Sequence, residues 1–215
     1  MLGEFLSRSV AVDGIDHQFM VYVAPNLPAN PPVILFLHGR GESGVDGEAQ
    51  TTVGIGAALL ASPARWPFVV VFPQKPSFDV LWPGYTGMLA AVLANVDEEF
   101  EPDPKRCYLT GISQGGNGTL ELVDRLDWKF AAMAPICGWA NPRDAAAKMV
   151  HIPTWIFHGD ADQAVPVTST TAIADWCVRY GATPSVTIYP GVDHNSWDAA
   201  YAESLPEWLL EHKSS

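Results

Sequence analysis

A serine set between glycines, in the segment Gly111-Ile112-Ser113-Gln114-Gly115, is the part of this chain best suited to chemistry. It follows the strand-like run 106–110 and precedes the helix-like run 119–126. Glycines at both ends let the backbone reverse where side chains would collide, and such a strand-to-helix turn presents a strained, exposed hydroxyl. The pattern predicts Ser113 to be a nucleophile, although by itself it also fits a serine in an ordinary turn.

A serine hydroxyl becomes a nucleophile only with a base, an acid that orients the base, and donors for the oxyanion that forms. Candidates for all three follow apolar, strand-like runs elsewhere in the chain: His38-Gly39-Arg40-Gly41, His158-Gly159-Asp160-Ala161-Asp162 and Asp193-His194. The order along the chain is serine, acid, histidine, which is not the order of the two well-known serine protease folds. These segments predict a catalytic triad that performs acyl transfer.

The residue types suggest a role for each candidate. His194 is the predicted base, because a neutral imidazole can take the proton of Ser113 and return it to a leaving alcohol. The backbone N–H groups of Arg40 and Gln114 are the predicted oxyanion donors, and losing one such donor typically costs about 2.7–4 kcal/mol of activation free energy. Each of the other histidines next to a glycine at a strand end, His38 and His158, is expected to make structural hydrogen bonds to neighbouring loops.

These segments resemble the α/β-hydrolase superfamily, and within it the small carboxylesterase and dienelactone-hydrolase-like branch, with its predicted peptidases and polyhydroxybutyrate-depolymerase-like esterases. The resemblance extends from about Val10 to Leu210. It implies an α/β-hydrolase fold, a serine esterase with a triad and an oxyanion hole, and neither cofactor nor metal. Dienelactone hydrolases use cysteine as nucleophile, whereas this chain has Ser113, which favours ordinary ester substrates. Many relatives have methionine where Gln114 stands, but only the backbone N–H is needed there.

From the residues alone, the acid is either Asp160 or Asp162, since both lie in the turn after a predicted strand. The family pattern, in which Val165-Pro166 follows the acid, implies Asp162 and leaves Asp160 to cap backbone N–H groups of the turn. Asp193 adjoins His194, and adjacent side chains in a loop rarely face each other. We therefore expect Asp162 to hold the second ring nitrogen of the base.

Three tryptophans, Trp82, Trp139 and Trp197, fall in predicted loops at the carboxyl edge of the sheet and are candidates for binding substrate. Trp197 is the strongest candidate because it follows His194 closely. Packing within the loops is an equally good interpretation of all three. The side chain of Arg40 is expected either to engage a carbonyl or carboxylate of the substrate or to lie in solvent.

Composition favours a single α/β-hydrolase catalytic domain over residues 1–215, since 48% of the residues are hydrophobic and 17% are charged. The net charge of −12 disfavours nucleic acid and anionic membrane surfaces, which leaves a small-molecule ester as the predicted partner. No apolar stretch approaches the roughly 20 residues of a membrane span. The first residues, Met1-Leu2-Gly3-Glu4-Phe5, show no secretory signal, which slightly favours a cytoplasmic location.

The cysteines Cys107, Cys137 and Cys177 form neither a CxxC motif nor a zinc-binding spacing. Because Cys107 and Cys137 lie in predicted core strands, we expect buried free thiols, with a disulfide between these two as the alternative.

Strand-like and helix-like segments alternate along the chain. Strands are predicted at 17–23, 33–38, 68–72, 106–111, 131–136, 154–158 and 186–189, and helices at 52–61, 87–100, 114–126, 168–180 and 201–213, with a short one at 141–149. This alternation predicts a mostly parallel central sheet with helices on both faces and no lid domain. All of the named motifs then fall at the carboxyl ends of strands, where such sheets bind ligands.

The sequence thus predicts a metal-independent serine carboxylesterase that works through an acyl-enzyme. A site without a lid is open and shallow, which favours small or exposed esters, among them aryl, feruloyl or polyester bonds. Two alternatives stay open: peptide or amide hydrolysis by the same triad, and a non-catalytic binding domain of the same fold.

Overall fold

An eight-stranded sheet lies at the centre of the computed structural model, which describes residues 3–215. The strands are β1 (Glu4–Val12), β2 (Ile15–Val23), β3 (Val33–Leu37), β4 (Val69–Pro73), β5 (Cys107–Ile112), β6 (Phe130–Ile136), β7 (Trp155–Gly159) and β8 (Ser185–Tyr189). Their order in the sheet is β1-β2-β4-β3-β5-β6-β7-β8. Met1 and Leu2, which begin the stretch inspected for a secretory signal, lie outside the described residues.

Seven of the eight strands run in the same direction, and only β2 runs opposite to them. β1 pairs antiparallel with β2, and β2 pairs antiparallel with β4. From β4 to β8, every neighbouring pair is parallel. The hairpin strand β1 is absent from the strands predicted above, because its partly exposed residues show no continuous apolar run.

Helices cover both faces of the sheet. They are α1 (Ile55–Ala61), α2 (Thr86–Phe100), α3 (Gln114–Leu122), α4 (Pro142–Met149), α5 (Thr168–Arg179), α6 (Trp197–Ala202) and α7 (Leu205–Leu210). Residues of α2 to α5 pack into the buried cluster on one face, and residues of α1, α6 and α7 pack into the cluster on the other. Strands β3 to β6 are buried along their whole length, as strands covered on both sides must be. The chain therefore has the predicted α/β-hydrolase fold.

The prediction of one C-terminal helix over 201–213 is wrong. The chain forms two short helices instead, α6 and α7, and it is extended at Glu203 with a ψ of 178°. Pro206, the second residue of α7, has no N–H to continue a preceding helix, so it fits only in the first turn of a new one. Helix α3 also ends earlier than predicted, at Leu122.

All three cysteines, Cys107, Cys137 and Cys177, are buried free thiols, so Cys107 and Cys137 are not joined. Burial raises the pKa of the Cys107 and Cys137 thiols to about 12. Neither thiol ionises near neutral pH, so neither is an activated nucleophile. Between residues 3 and 215, no helix combines the length and the apolar character needed to cross a bilayer.

The start of α3 passes directly over the end of β3, and this passage requires glycine. A Cβ at Gly115 would overlap the carbonyl oxygen of Leu37, which is backbone and cannot rotate away. A Cβ at Gly111 would in turn meet the backbone of Gly115. The glycines that frame Ser113 are therefore fixed by packing between backbones, and the serine lies at the point of closest approach.

The first prediction compares two glycine-to-alanine replacements. Gly115→Ala should lower the free energy of unfolding by about 1–3 kcal/mol or more, because the added methyl group has no space. Gly87→Ala, near the start of α2, should leave stability equal or higher, since its Cβ would make only an ordinary contact with Val12 at 3.9 Å and alanine favours helix. Urea unfolding measures both. Equal stability of the two variants would contradict the close-approach argument.

Candidate active site

Ser113 lies in the single-residue connection between β5 and α3. Its backbone has a φ of 54° and a ψ of −114°, a conformation that a residue with a side chain rarely adopts. Such strain costs on the order of 1–3 kcal/mol and persists only where neighbouring structure imposes it. Here the N–H of Ser113 donates to the carbonyl of Ile136 at 3.0 Å, and its carbonyl accepts from the N–H of Asn117 at 3.0 Å. The strained turn is therefore held at both ends.

The three side chains predicted to form the triad meet at the carboxyl edge of the sheet. His194 follows β8, and its Nε2 lies 2.8 Å from the Oγ of Ser113. Asp162 follows β7, and its Oδ2 lies 2.7 Å from the Nδ1 of His194. The side chain of Asp162 is fully buried, whereas that of His194 is 24% exposed. The imidazole of His194 is therefore partly open to solvent, while the carboxylate that binds it is shielded.

The environment of Asp162 keeps this carboxyl group ionised. Burial alone would raise its pKa, but hydrogen bonds from His194 and from the N–H groups of Val165 and Ala164 outweigh burial and lower the pKa. Both N–H groups donate to Oδ1 at 2.8 Å, which leaves Oδ2 for the imidazole. An ionised Asp162 fixes the proton of His194 on Nδ1, which leaves Nε2 without a proton and facing the Oγ of Ser113.

The other two candidate carboxylates bind backbone, not the imidazole. Asp160 accepts a hydrogen bond from the N–H of Gly191 at 2.6 Å. Asp193 accepts from the N–H groups of Gln163 at 3.0 Å and His194 at 2.7 Å. Each of them ties the loop after β7 to the loop after β8, so the two loops that carry the acid and the base are joined to each other.

His158 supports the acid from behind, a role that the sequence reasoning missed. It is fully buried, with Nδ1 2.8 Å from the Oγ1 of Thr170 and Nε2 2.9 Å from the carbonyl of Val165. The same Nε2 lies 3.2 Å from the Oδ2 of Asp162. The i,i+4 spacing of His158 and Asp162 was the signal available in the sequence.

The two predicted oxyanion donors lie near Ser113, one at the start of a helix and the other in the loop after a strand. Gln114 is the first residue of α3, and Arg40 lies in the loop after β3. Within residues 3–215, neither backbone N–H has an acceptor. The N-terminus of α3 also carries a partial positive charge, which stabilises an anion at this position.

A buried histidine, His38, sets the direction of the Arg40 N–H. Its Nε2 accepts from the N–H of Lys75 at 3.1 Å, so its proton is on Nδ1, which donates to the carbonyl of Gly39 at 2.6 Å. In a trans peptide the C=O and the N–H point in opposite directions. Fixing the Gly39 carbonyl toward His38 therefore directs the Arg40 N–H away from it. Burial lowers the pKa of His38 to about 3, which keeps this tautomer neutral.

Two polar residues at the end of β4, Gln74 and Lys75, fix the rest of this loop and were also missed. Gln74 accepts from the N–H of Gly47 at 2.7 Å and donates to the carbonyl of Glu42 at 3.0 Å. The ammonium of Lys75, fully buried, donates to the Oγ of Ser43 at 2.8 Å. Polar residues directly after an entirely apolar strand, at the carboxyl edge of the sheet, were the available signal.

The three tryptophans have different surroundings. The assignment of Trp82 to the substrate pocket is wrong: it is fully buried, and its indole N–H donates to the carbonyl of His38 at 3.0 Å. Trp197 is half-buried, with its ring edge-on to that of His194 and the ring centres 5.6 Å apart. Trp139, also half-buried, lines an open cavity of about 350 Å³ with Ala164, Val165, Pro166 and Ser169. Only Trp139 and Trp197 are placed where they could contact substrate.

The described part of the chain holds no cluster of three or more side chains suited to a metal ion. What it does hold is a strained serine at a strand-to-helix turn, a hydrogen-bonded histidine and aspartate, and two free N–H groups beside the serine. On this fold, that arrangement defines the class of α/β hydrolases.

Comparisons with known proteins give the family. The model of the dienelactone hydrolase family matches residues 85–204, which is more than half of the chain, and the chain belongs to this family.

Two curated relatives are proteins of larger size. The bifunctional acetylxylan esterase/xylanase XynS20E of Neocallimastix patriciarum is 29% identical over 156 residues, which cover 71% of this chain and 22% of that protein. The poly(3-hydroxyalkanoate) depolymerase C of Paucimonas lemoignei is 26% identical over 210 residues, 91% of this chain and 48% of that protein. The chain thus spans about half the length, or less, of these relatives.

Solved structures agree on the fold. A thermostable esterase superposes with a TM-score of 0.83 at 26% identity and covers 98% of this chain and 63% of its own. Est1E from Butyrivibrio proteoclasticus superposes with a TM-score of 0.72, covering 95% of this chain and 98% of its own; at 16% identity it supports the fold alone.

The second prediction separates the two candidate acids. Asp162→Asn should lower kcat by about 10⁴-fold, since a neutral amide no longer holds the Nδ1–H tautomer of His194. Asp160→Asn is the matched control, because its Oδ1 can still accept from Gly191, and its kcat should stay within about tenfold of the original. Steady-state ester hydrolysis measures both. An equal loss in the two variants would remove the assignment of Asp162.

The third prediction concerns pH and His38. Between the unfolded histidine pKa of about 6.5 and the folded value of about 3, the unfolded chain binds the extra proton, so stability falls as pH falls through this window. From pH 7 to pH 5, the contribution of His38 to the free energy of unfolding should decrease by about 2 kcal/mol. His38→Asn, which keeps a donor near Nδ1, should lose this contribution.

Urea unfolding at both pH values gives the difference for the original chain and for the variant. The same measurement on His151→Asn, in an exposed turn, controls for the replacement of a histidine as such. An identical decrease in the original chain and in His38→Asn would contradict a buried, neutral His38.

Proposed function

We propose that this chain is a serine carboxylesterase that hydrolyses small or exposed esters through an acyl-enzyme intermediate. Ser113 is the nucleophile, His194 the general base and acid, and Asp162 the residue that orients it. The observation that carries the proposal is the unbroken path of hydrogen bonds from the Oγ of Ser113 to His194 (2.8 Å) and on to Asp162 (2.7 Å).

The geometry supports a two-step acyl transfer. In the first step, the Oγ of Ser113 bonds to the ester carbonyl carbon while its proton passes to Nε2 of His194. The negative oxygen that forms is stabilised by the N–H groups of Arg40 and Gln114. The C–O bond to the alcohol then breaks, and the alcohol leaves with the proton from His194. In the second step, water repeats the sequence on the acyl-enzyme and releases the acid.

The openness of the site supports exposed esters as substrates. The connection between β6 and α4 is only residues 137–141, so no inserted segment covers Ser113 at this point. The net charge of −12 favours neutral esters over anionic ones and disfavours nucleic acid as a partner. The names of the two curated relatives, an acetylxylan esterase and a polyhydroxyalkanoate depolymerase, refer to esters carried on polymers, which is consistent with an open site.

The fourth prediction tests the proposal directly. An alkyl fluorophosphonate should modify the chain at one site, Ser113. The replacement Ser113→Ala should abolish this labelling and should lower kcat by about 10⁴-fold or more. His194→Ala should lose a similar factor, and the double variant should lose no more than either, because the two residues act as a unit. Ser185→Ala, on the exposed edge strand β8, is the matched control.

Intact-protein mass spectrometry and a p-nitrophenyl ester assay read these outcomes. Labelling that persists in Ser113→Ala, or turnover near the original level, would refute the assigned nucleophile. The hydrolysis rates of an ester and an anilide with the same acyl group show whether an alcohol or an amine is the preferred leaving group. Faster hydrolysis of the anilide would replace the esterase proposal with an amidase.

A further inference from the structure

Next to the oxyanion loop, a short loop after β4 displays an exposed aromatic ring. Phe78 is 48% exposed, which is unusual for a large apolar side chain in a loop that is otherwise well anchored. The carbonyl of Ser77 accepts from the ammonium of Lys75 at 2.8 Å, and the N–H of Ser77 donates to the hydroxyl of Tyr85 at 3.2 Å. The backbone is thus fixed at the residue directly before the exposed ring.

The two residues proposed as oxyanion donors also hold Phe78, through their side chains. The amide of Gln114 donates to the carbonyl of Phe78 at 3.1 Å. The guanidinium of Arg40 stacks over the ring of Phe78, with its central carbon 4.6 Å from the ring centre. The position of the ring is therefore coupled to both proposed oxyanion donors, Arg40 and Gln114.

The chemistry of this ring indicates what it would bind. Because Arg40 occupies one face, the exposed part of Phe78 offers its other face and its edges. A cation on one face withdraws electron density from the ring, so an electron-rich aromatic group is the better stacking partner. Asp79, whose side chain is 75% exposed beside the ring, disfavours a second negative charge.

We propose that Phe78 and Arg40 form a subsite for an uncharged, electron-rich aryl group of the ester substrate. This proposal rests on the proposed function and adds a residue that determines substrate specificity. The aryl group belongs either to the acyl part or to the alcohol part of the ester, since both lie close to the oxyanion hole. The shared chemistry is an aromatic ring stacked on Phe78 while the carbonyl faces Ser113.

The fifth prediction uses selectivity as its readout. In the acyl arm, kcat/KM is measured for methyl 4-methoxycinnamate and methyl hexanoate; in the alcohol arm, for 4-methoxybenzyl acetate and hexyl acetate. Phe78→Ala and Phe78→Leu should each lower the aryl-to-alkyl ratio of kcat/KM by about tenfold in one arm, mainly through KM, because stacking and apolar contact are lost. Phe78→Tyr should restore the ratio. The arm that responds identifies the part of the substrate that carries the ring.

Val80→Ala is the matched control, because Val80 is 42% exposed on the same loop. Its ratio should not change. Aryl-to-alkyl ratios that stay within about twofold in both arms for Phe78→Ala would overturn the subsite while leaving the esterase proposal intact. If the original chain hydrolyses none of the four esters and is not labelled by the fluorophosphonate, the esterase proposal fails, and the subsite fails with it.

Discussion

The close passage of α3 over the end of β3 is the constraint on which the rest of the site depends. Because the backbones of Gly115 and Leu37 nearly touch, the chain between β5 and α3 has room for one residue, and that residue must take a positive φ. The same passage directs the N-terminus of α3, and with it the N–H of Gln114, toward the space above Ser113. The residue proposed as nucleophile and one proposed oxyanion donor thus lie next to this one packing contact, before any other side chain of the proposed triad is considered.

Two buried histidines, His38 and His158, have different roles because their hydrogen-bond partners differ. Within residues 3–215 the imidazole of His38 hydrogen-bonds only to backbone groups, and burial keeps it neutral, so it can hold the peptide that carries the Arg40 N–H. The Nε2 of His158 binds the carbonyl of Val165 and lies 3.2 Å from the Oδ2 of Asp162, so this histidine packs against the proposed acid. His194, which is partly exposed, is the one whose Nε2 faces the hydroxyl of Ser113. The site therefore uses three of the six histidines of the chain, each in a distinct role.

Much of this organisation was readable from the sequence, because local patterns determine it. Continuous apolar runs predicted the buried strands within about two residues, and their order placed Ser113, Asp162 and His194 at one edge. The edge strand β1 was missed because its partly exposed residues alternate without a clear signal. The burial of Trp82 and the support from Gln74 and Lys75 could not be predicted, since they depend on which loops lie side by side, and loop packing leaves little trace in local periodicity.

The backbone contacts between the loops after β7 and β8 have a mechanical consequence. Asp160 and Asp193 fasten each loop to the other, and the N–H of Ala161 adds a bond to the carbonyl of Val192 at 3.0 Å. Asp162 and His194 therefore stand on two loops that are joined to each other, while the hydroxyl of Ser113 stands on a separate part of the fold, the turn between β5 and α3. The hydrogen bond from Ser113 to His194 spans these two parts, so the side chain at position 113 contributes nothing to the contacts that join the two loops.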